Sequence, residues 1–160
     1  MIFNKVSKSG LAILFLLLIV ITSISSCKKE DEEAKQAAID HALIEQYVAD
    51  NQLDGKFTLS GLYYVIEEAG NGEFPYPNAI VKVTYKGYLL DGSVFDEGHI
   101  SASPLTNFIP GWVEGIQLID EGGRIKLIIP SNLAYGPQSS EDIPQYSVLI
   151  FDVTLHAFEK

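Results

Sequence analysis

Ile109-Pro110-Gly111-Trp112-Val113-Glu114-Gly115 is the stretch on which the reading of this chain turns. The first position of a helix has no intrahelical partner for its N–H, so proline costs nothing there. Pro110 therefore opens a short helix and puts Trp112 in its first turn. The helix is predicted to run through Ile119 and to stop at Gly122-Gly123. On both sides the hydrophobic period changes to two, the repeat of a half-buried strand. Upstream, Val81, Val83 and Tyr85 alternate with Lys82, Thr84 and Lys86. Asp91-Gly92 marks a hairpin turn between Tyr88-Leu89-Leu90 and Ser93-Val94-Phe95. Leu62 to Glu68 reads as an earlier strand, closed by Gly70-Asn71-Gly72. Downstream, Arg124 to Ile129 is a strand ended by Pro130. Tyr146 to Phe158 is the last strand, with Leu149, Phe151, Val153 and Leu155 on one face. The expected fold class is α+β, a twisted antiparallel β-sheet wrapped over one short helix.

Six motifs in order carry a resemblance. Val83-Thr84-Tyr85-Lys86-Gly87-Tyr88 and Asp91-Gly92-Ser93-Val94-Phe95-Asp96 come first, then Phe108-Ile109-Pro110-Gly111-Trp112. Ala134-Tyr135-Gly136, Ile143-Pro144 and Ile150-Phe151-Asp152-Val153 complete the set. Taken singly, each aromatic is more often core and Asp96 more often a turn residue. Taken jointly, they resemble the FK506-binding-protein (FKBP) type of peptidyl-prolyl isomerase over residues 57–158. The resemblance implies a pocket built from Tyr85, Phe95, Asp96, Trp112, Tyr135 and Phe151, with Phe108, Ile109 and Ile143 binding substrate. It further implies that Trp112 is the floor and that Asp96 accepts from Tyr85. The Ile143 N–H and the Tyr135 hydroxyl would hydrogen-bond substrate carbonyls. Such a site needs no cofactor and no nucleophile, because prolyl isomerisation makes and breaks no bond. Its partners are proline-containing segments of other proteins. Against the family pattern, the stretch from Asp96 to Pro104 is short, with Ser101 and Ser103 where aromatics are usual. That predicts the loss of part of one pocket wall and of a strand edge. A catalytically weak peptide-binding module is thus the alternative on the same fold, and a surface assembly factor using the helix before the sheet is a third reading.

The front of the chain is a separate matter. Lys5 and Lys8 precede an uncharged apolar run, Gly10 to Ile21, too short for a comfortable membrane span. Ile24-Ser25-Ser26-Cys27 then resembles a bacterial lipobox, in which Cys27 would carry lipid and become the mature N-terminus. An ordinary secretory signal beside a cysteine is the alternative. Cys27 is the single cysteine, so no disulfide can form within the chain. The expected order is a signal peptide over 1–26, an acidic tether over 27–37, an N-terminal helix over 38–56 and the isomerase domain over 57–160. The charge run Lys28-Lys29-Glu30-Asp31-Glu32-Glu33 reads as a solvated tether or as an export signal of surface lipoproteins. Lys28 is not the aspartate that retains some lipoproteins in the inner membrane, which leaves the outer membrane as the expected location.

Residues 34–50 carry Ile39, Leu43, Ile44, Tyr47 and Val48 at amphipathic spacing. This face is expected to pack on its own domain, giving a monomer, rather than to dimerise. The net charge of −10, more negative still without Lys5 and Lys8, argues against nucleic acid as a partner. His41, His99 and His156 lie far apart in sequence, with no metal-ligand spacing, so no metal is expected.

Overall fold

The computed structural model describes residues 30–159. The signal peptide expected over residues 1–26 and the lipid expected on Cys27 lie outside the described residues. By compactness the chain divides into residues 1–36 and 37–160; of the first, the described residues 30–36 are helical. Among the described residues helix α1 covers residues 30–50, so part of the segment expected to be an acidic tether is helical.

Six strands follow: β1 Lys56–Phe57, β2 Tyr63–Glu68, β3 Ile80–Leu89, β4 Val94–Pro104, β5 Arg124–Ile129 and β6 Leu149–Glu159. Helix α2, Pro110–Ile116, lies between β4 and β5. The strands form one sheet in the order β1-β2-β5-β6-β3-β4, every neighbouring pair antiparallel. The sheet buries both faces over part of its area. On one, Val81, Val83, Ile125, Leu127, Leu149, Phe151, Val153 and Leu155 pack with Trp112 and Ile116 of α2. On the other, Tyr63, Ile128, Val148 and Ile150 pack with Ile44 of α1. That second face is why β6 reads Leu149-Ile150-Phe151 as three buried residues in succession.

Four expectations change. The apolar stripe of α1 splits: Ile44 is buried and Tyr47 and Val48 half-buried, while Ile39 and Leu43 remain exposed. The inward line instead runs through Asp40 and Ile44, one turn apart. Helix α2 ends at Ile116, three residues early, because Gln117 caps it and the Leu118 N–H tightens onto the Gly115 carbonyl. The last strand starts at Leu149, not Tyr146, whose φ of +58° is incompatible with a strand. Finally, β4 runs from Val94 to Pro104 and pairs with β3 along its length, with register shifts between Val81 and Val83 and between Gly87 and Tyr88. The strand edge expected to be lost is present, and Ile100 from it packs on the core.

Candidate functional site

Gly87 is where the site begins. In β3 it stands opposite Asp96 on one side and Phe151 on the other. A methyl at Gly87 would come within 2.7 Å of both the Phe95 and the Phe151 rings. Its bare backbone thus lets those rings meet edge to face, 5.4 Å apart. The floor comes from α2. Pro110 starts that helix, and Gly111 lets it lie close on β5, since a Cβ there would sit 2.4 Å from Ile129. Trp112 is thereby 3 % exposed. Its ring lies 5.2 Å from Tyr85, 5.2 Å from Phe151 and 5.1 Å from Phe108. The indole Nε1 has no acceptor among the protein atoms. Ile109 and Ile143 are half-buried against the same cluster. Tyr135 stands further out, 45 % exposed, across a hollow of about 310 Å3 shared with Gln138, Ser139, Ser140 and Ile143.

One polar pair interrupts the aromatic cup. The Tyr85 hydroxyl donates to Asp96 Oδ2 at 2.7 Å. Burial first, then the bond to Asp96 and its charge, push the Tyr85 phenol up to about 12 from its usual 10. The neighbouring Tyr135 adds to the rise. Tyr88, on the other face of β3, is also pushed up to about 12, chiefly by burial. Because the folded state holds these protons more tightly, their stabilisation is intact below pH 10 and is lost as pH climbs through about 12. In an alkaline absorbance titration, two of the eight tyrosines are expected to ionise last. Asp96→Asn should return one of the two part of the way; two late phenols unmoved by that change would separate Tyr85 from Asp96.

The structure therefore brings together Tyr85, Phe95, Asp96, Phe108, Ile109, Trp112, Ile143 and Phe151, with Tyr135 at the outer edge. The Ile143 N–H is engaged within the chain, donating to Ser140 Oγ at 3.2 Å. Sequence reasoning missed this, and missed Gly87 as the hinge of the arrangement. It also missed that strand pairing makes neighbours of His99 and His156. Their rings lie 5.8 Å apart with the Thr84 hydroxyl between them. Only the β-register across β4, β3 and β6 reveals that. Among the described residues no group of three or more His, Cys, Asp or Glu is placed to hold a metal.

Fold and site together define an α+β domain with an aromatic cup where a short helix meets an antiparallel sheet. Residues 71–156 match the family model described as FKBP-type peptidyl-prolyl cis-trans isomerase. The FKBP-type isomerase FkpA of Aeromonas hydrophila is 46 % identical over 122 residues, covering 72 % of this chain and 46 % of the relative. FkpA of Escherichia coli K12 is 40 % identical over 140 residues, covering 77 % of this chain and 52 % of the relative. The crystal structure of FkpA from Escherichia coli superposes with a TM-score of 0.68 at 34 % identity, covering 98 % of this chain and 75 % of that one. A peptidyl-prolyl isomerase from Pseudomonas syringae pv. tomato gives a TM-score of 0.66 at 28 % identity, covering 77 % and 96 %. The chain belongs to the FKBP-type peptidyl-prolyl cis-trans isomerase family. It spans about half the length of the curated relatives it matches.

Proposed function

We propose that this protein is a prolyl isomerase for exported or outer-membrane proteins, held at the outer membrane by lipid on Cys27. The observation that carries the catalytic reading is the ring of Tyr85, Phe108 and Phe151 around Trp112, with Phe95 against Phe151. An X-Pro amide resists rotation by about 18–20 kcal/mol because resonance must be broken, and left alone it takes tens of seconds or more. Resonance puts negative charge on oxygen and positive charge on nitrogen, so an apolar enclosure disfavours the planar amide relative to the twisted one. A site complementary to the twisted form accelerates the exchange without chemistry. In this reading the prolyl ring lies on Trp112 between the aromatic walls. Asp96, held by Tyr85, places negative charge near the twisted carbonyl carbon. The Ile143 N–H and Tyr135 hydroxyl hold the substrate's carbonyls.

Trp112 is the only tryptophan, so its fluorescence reports the site directly. A short X-Pro peptide should shift that emission saturably, and the same peptide with alanine for proline should not. Equal responses to both peptides would sink the reading of a prolyl pocket. Ser140 makes a second prediction, because its hydroxyl occupies the N–H that substrate needs. Ser140→Ala should lower KM between about twofold and tenfold, the worth of one net hydrogen bond, with kcat unchanged. An unchanged or higher KM would mean that the Ile143 N–H does not bind substrate.

The anchoring reading rests on the sequence of residues 5–27. Incorporation of labelled fatty acid that is lost in Cys27→Ser tests it, and protease treatment of intact cells reports the face of the membrane. Packing of Ile44, Tyr47 and Val48 on the chain's own sheet supports a monomer. Sedimentation of the lipid-free protein at twice the chain mass would contradict that.

A further inference from the structure

Asp40 is the one fully buried acidic side chain among the described residues: it is 0 % exposed, on a helix whose neighbouring Ile39 and Leu43 face solvent. Carboxylates are almost never buried to that degree unless they are paired. The partner here is Ser131, itself 1 % exposed. Asp40 Oδ2 accepts from the Ser131 N–H at 2.8 Å and from the Ser131 hydroxyl at 2.6 Å, across 91 residues of sequence. Ser131 follows Pro130 at the end of β5 and opens the tight turn Ser131–Leu133. Its N–H is one of the donors that a helical turn leaves without a partner of its own.

The carbonyl of the same residue reaches the site. The Ser131 carbonyl accepts from the Ala134 N–H at 3.0 Å and from the Gly136 N–H at 2.8 Å. Those two amides bracket Tyr135. The Gly136 carbonyl in turn accepts from the Tyr146 N–H at 2.7 Å, which closes the loop carrying Ile143. Two hydrogen-bonded steps therefore run from the N-terminal helix to the backbone on either side of Tyr135. Without Asp40 the buried Ser131 would lose the acceptor of both its donors, and the turn would have to shift to satisfy them.

We propose that Asp40 is a positioning residue for Tyr135, which makes helix α1 a working part of the isomerase site. The inference rests on the isomerase reading above. A catalytic geometry displaced by about an ångström can lose up to about a hundredfold in rate, so a remote contact of this kind has leverage.

The test is a cycle of Asp40→Ala and Tyr135→Phe in the whole protein, at a temperature where circular dichroism shows each variant folded. In the wild-type background Tyr135→Phe should lower kcat/KM by about twofold to tenfold. In the Asp40→Ala background it should cost little or nothing, because the hydroxyl is already misplaced. Hydrogen exchange of the Ala134 and Gly136 amides should quicken in Asp40→Ala. Asp40→Asn, whose amide oxygen still accepts from Ser131, should restore both readouts in part. An equal Tyr135→Phe penalty in the two backgrounds, or unchanged exchange at Ala134 and Gly136, would overturn the proposal and leave Asp40 a purely structural residue. If the wild type accelerates nothing, the isomerase reading is what has failed, and the exchange measurement still decides whether Asp40 holds the turn. Should Asp40→Ala not fold, Asp40→Asn and Ser131→Ala carry the same cycle with a smaller expected coupling.

Discussion

Phe151→Ala is expected to destabilise the protein by about 3–5 kcal/mol, the range for removing a packed phenylalanine from a core. The residue is 5 % exposed in β6, between Gly87 of β3 and Leu127 of β5. Its ring meets Phe95 at 5.4 Å, Trp112 at 5.2 Å and Tyr85 at 6.5 Å. One side chain thus holds together elements from both edges of the cup. Against a total stability of about 5–15 kcal/mol, that loss is a large share. Urea denaturation would read it as a lower midpoint with an unchanged slope. Phe151→Leu should recover much of the stability while leaving the wall without its aromatic face. A loss below about 1 kcal/mol for Phe151→Ala would mean the ring is not packed as described.

Gly87→Ala should damage the site more than the fold. The added methyl would lie 2.7 Å from Phe151 Cε1 and from Phe95 Cε2 and Cζ, closer than carbon atoms tolerate. Both rings must then move. Overpacking of that kind costs about 1–3 kcal/mol, which most domains survive. The displaced walls no longer fit what lies on Trp112, so kcat/KM should fall by about tenfold or more in a folded protein. Wild-type turnover in Gly87→Ala would show that the spacing of Phe95 and Phe151 is not what the site depends on.

Much of this was legible in the residues, and the gaps have physical causes. Pro110 signals a helix start because its missing N–H is harmless there, and the period-two run in β3 follows from one face of that strand being buried. Hydrophobic spacing misplaced part of the α1 face: it put Ile39 and Leu43 inward and passed over Asp40, which the buried hydrogen bonds to Ser131 draw inside. A carboxylate's partner 91 residues away leaves no trace in local pattern. Nor could composition show that β4 keeps its pairing through an irregularity, or that His99 and His156 meet across Thr84. The aromatic constellation was readable only because its members were taken jointly with a family pattern. The role of Ser140 at Ile143 was not, since it arises from loop geometry alone.

Catalysis is expected at the Tyr85–Asp96 pair and the rings around it. The most direct measurement is a protease-coupled isomerisation assay on an X-Pro peptide, with wild type beside Asp96→Ala and Phe95→Ala. The expected result is clear acceleration by wild type and its loss in both variants while they remain folded. Acceleration that persists in both would place the active site elsewhere. A folded wild type that binds the proline peptide at Trp112 and accelerates nothing would contradict the enzyme and leave a peptide-binding module.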